Sequence, residues 1–426
     1  MKNKAHRFAA FVVAALGLAS VPAGATNADV IVEWNQLLQT HIPSTASLLT
    51  PRYFAMLHIA MFDAANAIEH QYSPYHARLA AYPGASPEAA AAQAGHDVLA
   101  ALIPTPEAKA VFDAALQARL AAIPPWRAAA GVAVGRRAAS DIIAWRATDG
   151  SSAPNPPFVL PLLPGLWQPT STQPAAFVNF GKFTPFALLT STQYLPDPPP
   201  TLTSERYTAD WDEVRLLGSA TSTVRTAEQT QTARLFASVG NGTIHFMMWN
   251  LVARDVARQS NWSLLETARL FALMNAAMHD GLQTSHTSKF VYGLWRPVTA
   301  IRRADEDLNP ATVADPAWTP LITTPPYPSH SSNMTCVGVS SARALARAFG
   351  HDDVPFSVTW TGTGGNPDVT RQYSSFSELA QQQARSRVYG GIHFDFELEA
   401  STKSCTKVAD WVADHYMRPL KAPWLY

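Results

Sequence analysis

The stretch Arg52–His70, RYFAMLHIAMFDAANAIEH, is apolar almost all the way round a helix. A helix without a polar face must sit among other helices, so the rest of the chain has to supply them. Helical period recurs through Ala28–Thr40, Pro87–Leu102, Pro106–Ala122, Pro125–Ala147, Ser204–Leu217 and Thr226–Val239. It continues in His245–Gln259, Leu264–Gln283, Ser332–Phe349, Ser374–Val388 and Phe396–Met417. Three of these segments open on a proline and are rich in alanine, which suits helix starts and close helix packing. There is no β-rich alternation and no repeat of fixed period, so the expected fold class is all-α, one domain of packed helical bundles. Residues 150–203 differ: they hold many of the chain's 33 prolines, including Pro198-Pro199-Pro200. Their aromatics, among them Phe158, Trp167, Phe180, Phe183 and Phe186, have apolar area to bury, so the segment reads as a long ordered loop wrapped over the bundle.

The 426 residues carry 32 basic and 32 acidic side chains, a formal net charge of zero. A nucleic-acid or anionic-membrane partner would require a basic surplus, and none exists. Lys2, Lys4 and Arg7, the apolar run Phe8–Leu18 and the small residues Ala23-Gly24-Ala25 read as an export signal over residues 1–25. No later run is long and apolar enough to span a bilayer. Export leaves two cysteines, Cys336 and Cys405, free to pair or to remain buried thiols. Without a CxxC or HExxH motif, neither a zinc site nor a thiol redox site is supported.

The chemistry concentrates in the C-terminal part, residues 264–417. In Lys289–Pro297, KFVYGLWRP, a lysine and an arginine stand seven positions apart. On one continuous helix they would leave the same face about 10 Å apart and could converge on a small anion. Ser386–His393, SRVYGGIH, adds Arg387 and His393, the latter expected on a loop because a helix does not readily run through Gly390 and Gly391. Between them Thr324–Gly338, TPPYPSHSSNMTCVG, is a proline-rich turn feeding a helix near Ser332, whose N-terminus would offer unpaired N–H groups to an anion. Ser332 fits a plain N-cap equally well. Asp280 could orient His330 or pair with an arginine, and His286 shares the face of Lys289.

The sequence Lys-x6-Arg-Pro, a PSGH-type turn, then Ser-Arg-x5-His resembles the signature of the vanadium-dependent haloperoxidase and type 2 phosphatidic acid phosphatase superfamily. Its first and third parts match residue for residue at Lys289, Arg296-Pro297, Ser386-Arg387 and His393. Trp34-Asn35, Met56–Ile68, Pro185-Phe186, Pro198–Ser204, Glu213–Arg225 and Ser263–Asp280 are also similar to secreted bacterial haloperoxidase-like chains. The resemblance implies a pair of four-helix bundles with a vanadate or phosphate site at one end of a bundle. Lys289, Arg296 and Arg387 would neutralise the oxyanion, Ser332 and Asn333 would donate to it, and His393 would bind its central atom, as ligand to vanadium or nucleophile to phosphorus. The second part departs from the family. Aligned without a gap, the PSGH positions fall on Ser331, Ser332, Asn333 and Met334, so a thioether stands where the family has its acid–base histidine. A competing alignment makes His330 that histidine, and His330 is near enough in either case to supply a proton. The implied activity is an exported, vanadate-binding haloperoxidase acting on small molecules, halide and hydrogen peroxide. The alternatives are an acid phosphatase working through a phosphohistidine, and a weakened oxyanion binder that has lost proton transfer at Met334.

Overall fold

The computed structural model describes residues 29–80, 83–237, 244–361 and 368–420; the export segment and Val239 lie outside them. The architecture is all-α. One group of helices comprises α1 (Asp29–His41), α2 (Thr50–Glu69), α3 (Pro87–Leu102), α4 (Pro106–Ala121) and α5 (Pro125–Arg146). Then come α6 (Glu205–Gly218), α7 (Ala227–Leu235) and α8 (Ile244–Gln259). The second group is α9 (Leu264–Tyr292), α10 (Pro297–Arg302), α11 (Asn333–Phe349), α12 (Phe376–Tyr389) and α13 (Asp395–His415). Helix α2 is buried along nearly its whole length, as its apolar circumference requires, and packs on α3, α5 and α9. In turn α9 packs on α11 and α13, so α2 and α9 form the seam between the two groups.

Small residues let α3 and α5 lie close. A Cβ at Gly135 would come within 2.3 Å of the Ala90 carbonyl oxygen, so no side chain is tolerated there. One hairpin departs from the expectation of no β-structure: β1 (Phe356–Trp360) pairs antiparallel with β2 (Val369–Tyr373), Phe356 opposite Tyr373. Its first strand alternates buried and exposed, FSVTW, over too short a span to stand out against the surrounding helical pattern.

Between α5 and α6 the chain has a single helical turn, Phe180–Lys182, and lies against α9. Trp167, Phe180, Phe183 and Phe186 are buried. Asp280 in α9 anchors the segment by accepting the N–H groups of Phe186, Ala187 and Leu188 at 2.8, 2.7 and 2.9 Å. The expectation that Asp280 orients His330 or pairs with an arginine is therefore corrected: its oxygens serve this loop and the neighbouring His279. Among the described residues no helix is long and apolar enough to cross a membrane.

Candidate functional site

Lys289 and Arg296 are not on one helix. Ser263 and Glu266 cap the start of α9 reciprocally, and Gly293, at φ 62°, ends it in a left-handed turn. Arg296 then becomes the N-cap residue of α10, with Pro297 at its first position. The break is the ordinary grammar of a glycine past one helix and a proline opening the next. It turns Arg296 back toward Lys289 instead of leaving it two turns further along an axis.

The turn before α11 is stitched to three elements. Ser329 N–H donates to the Leu294 carbonyl at 2.8 Å, Ser331 N–H to Ser288 Oγ at 2.9 Å, and Ser332 N–H to Ser401 Oγ at 2.9 Å. Lys289 Nζ donates to the Ser329 carbonyl at 2.7 Å and to the Ser331 carbonyl. Ser332 is the N-cap of α11, its Oγ 2.9 Å from Thr335 Oγ1 and 3.4 Å from Thr335 N. Asn333 opens the helix, and its amide bridges Ser285 Oγ and His286 Nδ1. His286 is buried in that bridge and against the Phe177 carbonyl, so it is a packed residue.

His393 lies on the loop between α12 and α13, past Gly391 at φ 78°. Arg296 Nη1 approaches its Nε2 at 3.2 Å and also donates to the Ile392 carbonyl at 3.0 Å. Its Nδ1 is bonded to Glu397 Oε2, which also accepts from Ser329 Oγ at 3.1 Å and Phe394 N at 3.3 Å. An arginine only donates, so Nε2 must be the acceptor and the imidazole proton must sit on Nδ1, given to Glu397. Arg387 reaches in from α12, held by the Phe236 carbonyl at 2.8 Å. Tyr327 lies beneath the cations, its ring 5.4 Å from Lys289 Nζ and 5.1 Å from the Arg296 guanidinium.

Lys289 and Arg296 are 0% exposed, Arg387 and His393 4%. No described carboxylate forms an ion pair with any of the three cations. The one acid among them, Glu397, is engaged by His393 and Ser329, and its second oxygen has no partner. Arg296 Nη2 and Arg387 Nε are likewise buried without an acceptor. Burial, reinforced by Arg296, draws Lys289 well below its ordinary pKa; burial lowers Arg387 to about 10. Burial and the three cations hold His393 far down, in the neutral form. Burial also raises Glu397 to about 7, against the pull of Lys289. The fold thus concentrates positive charge around one neutral imidazole nitrogen and leaves two guanidinium donors unused. A charge arrangement of that kind is costly unless an anion sits within it.

His330 is fully buried beside this group. Its Nε2 lies 2.7 Å from the Asp197 carbonyl oxygen, so Nε2 carries the proton and the unpartnered Nδ1 carries a free lone pair. Burial lowers its pKa to about 4. Met334 is half-buried and packs on the apolar core cluster formed by both helix groups. Tyr327, Glu397 and the Phe236 carbonyl are parts of the site absent from the sequence analysis. The first two had signals: Glu397 is four positions past His393, and Tyr327 interrupts the prolines of Thr324–Pro328.

Residues 269–422 match the family model described as the VCPO second helical-bundle domain. Vanadium chloroperoxidase of Curvularia inaequalis is 25% identical over 283 residues, 52% of this chain and 46% of that protein, so the match spans about half of the relative's length. Both matches support the resemblance to the vanadium-dependent haloperoxidase and type 2 phosphatidic acid phosphatase superfamily. Two solved structures of vanadium haloperoxidases share its fold. A bacterial vanadium-dependent iodoperoxidase superposes with a TM-score of 0.77 at 24% identity, covering 93% of this chain and 98% of its own. A holo-type bacterial vanadium-dependent chloroperoxidase gives 0.69 at 14% identity, covering 88% and 93%. The group implied by the superfamily, vanadate, suits the donor set described above: two idle guanidinium nitrogens, a buried ammonium and an imidazole lone pair around one point.

Proposed function

We propose that the protein is an exported, vanadate-binding haloperoxidase-like enzyme that oxidises halide with hydrogen peroxide. The observation that carries this reading is the gathering of Lys289, Arg296 and Arg387, buried and without described carboxylate partners, about His393, whose Nε2 is an unprotonated acceptor. The three cations would neutralise the oxyanion, Ser332 and Asn333 at the start of α11 would face it with the helix dipole, and His393 would be its ligand. Bound vanadate would supply the Lewis-acidic centre at which peroxide becomes open to attack by halide. Glu397 keeps the imidazole proton on Nδ1, so that Nε2 always presents a lone pair. Export is supported by the basic-then-apolar N-terminus and by the disulfide between Cys336 and Cys405.

Halide, hydrogen peroxide and one proton give hypohalous acid and water, so a proton must be taken up and returned within the site. Met334 cannot carry it, because a thioether has no proton to exchange. We assign that task to His330 Nδ1, which can accept a proton from peroxide and return it to the oxygen that leaves as water.

Dialysis against orthovanadate tests the assignment. Bromide- or iodide-dependent oxidation by peroxide that appears only after loading supports it. Hydrolysis of a phosphate monoester, inhibited by vanadate, would make the protein a phosphatase, and bound vanadium without turnover would make it a weakened anion binder. His330→Ala should lower halide oxidation by about 10²–10⁴-fold while the bound vanadium stays unchanged. Unchanged turnover in that variant would overturn the role of His330.

A further inference from the structure

Five arginines are buried among the described residues: Arg52, Arg146, Arg254, Arg296 and Arg387. Arg52 and Arg146 share the Asp149 carboxylate at 2.7 and 2.9 Å. Arg296 and Arg387 belong to the site described above. Arg254, in α8 and 5% exposed, makes no ion pair with a described carboxylate.

Its surroundings on the inner side are neutral. Arg254 Nη1 donates to Asn35 Oδ1 at 2.6 Å. The Asn35 amide nitrogen donates in turn to His58 Nε2 and Asn250 Oδ1, each at 2.8 Å, and Asn250 exchanges hydrogen bonds with Asn275 at 2.9 and 3.0 Å. This network fixes Asn35 with its oxygen toward the arginine but brings no negative charge. His58 is neutral, drawn down to about 3 by burial and by Arg254 itself.

On the outer side Arg254 borders a cleft of about 330 Å³ between α1, α8 and β1, lined also by Gln36, Leu251, Asp255, Arg258 and Thr359. Arg258 adds a second positive charge. Asp255 accepts from Gln259 at 3.1 Å and pairs with neither arginine. The adjoining cleft, bordered by the same Gln36 and Arg258, contrasts with it: its arginine, Arg119, is ion-paired with Glu33 at 2.5 Å and Glu88 at 3.5 Å. Arg254 thus resembles Arg296 and Arg387 in being a buried guanidinium whose described partners are neutral, and it also borders a cleft.

We propose that Arg254 is the base of a second anion site, which takes a small singly charged anion such as a halide in the cleft between α1, α8 and β1. Two arginines against Asp255 leave one net positive charge, which suits a monovalent guest better than a phosphate-like dianion. Gln36 contributes an amide donor at the rim.

The test uses the full-length protein loaded with orthovanadate, so that the first site is filled, and reads ³⁵Cl NMR line width in chloride at constant ionic strength. Saturable broadening that bromide displaces is expected, with at least a roughly tenfold loss of affinity in Arg254→Gln. Should Arg254→Gln fail to fold, Gln36→Glu places a carboxylate at the exposed rim and should abolish the broadening with the fold intact. Displacement by acetate as well as bromide would identify the guest as any small monoanion. Absence of saturable broadening, or broadening unaltered in a folded Arg254→Gln or Gln36→Glu protein, would overturn the site.

Discussion

Glu397 decides which nitrogen of His393 is free. A carboxylate on Nδ1 leaves Nε2 as an acceptor, whereas an amide can donate to Nδ1 and push the proton to Nε2. Glu397→Gln is therefore expected to weaken vanadate binding by about 10–100-fold, read by equilibrium dialysis, with little change in helix content. Sequence reading found the imidazole but not its partner, because a glutamate one turn into a helix is ordinarily a solvent-facing or dipole-pairing residue. Its spacing from His393 is a weak signal by itself, and its complete burial beside Lys289 marks it as something else. His58 governs a different property. Its pKa is about 3 in the fold against 6.5 in an unfolded chain, so the unfolded state takes up the proton first as pH falls. The stability that His58 contributes is complete above pH 6.5 and is lost progressively down to about 3. Asp63 acts in the opposite sense: burial raises it to about 6, so its cost to the fold is full above that value and is relieved as pH drops. In urea titrations between pH 6 and 4, His58→Gln should make the fall in stability shallower by about 1.4 kcal/mol per pH unit.

At the scale of elements, the site is held by the junction of α11 with α13. Cys336, one turn past Ser332, is bonded to Cys405 across 69 residues, with Cα atoms 5.3 Å apart. Ser401 on the same helix α13 accepts the Ser332 N–H at 2.9 Å. The pairing was undecided in sequence, since nothing in a linear chain places two cysteines so far apart on facing helix surfaces. On the loop-entropy account a bridge of this length stabilises by about 4 kcal/mol, so a Cys336→Ser, Cys405→Ser double variant should lose close to that amount in denaturant unfolding. Helix positions themselves were readable: α3 matches the proline-opened, alanine-rich span expected for it, Pro87–Leu102. Lys289 and Arg296 were harder, because helical spacing and helix punctuation compete in KFVYGLWRP. Gly293 and Pro297 outweigh the spacing, since a positive φ and a missing N–H are local constraints that a seven-residue interval cannot override.

For the whole molecule, helical period and the buried α2 were enough to anticipate an all-α body, but the origin of the polar atoms lining the site was not. Backbone carbonyls carry no residue-type signature, and three of them come from outside the motif-bearing half. Asp197 holds His330, Phe236 holds Arg387, and Phe177 holds His286. Those atoms reach α9, the turn before α11, and α12 by way of the proline-rich segment and α7, the former fastened by Asp280. A polypeptide beginning at residue 264 would retain every charged group of the motif yet forfeit these three acceptors. Even if such a truncated product stayed in solution, it should bind orthovanadate far more weakly than the full-length protein, and mixing in a separately produced 29–263 fragment should restore affinity only to the extent that the halves reassemble.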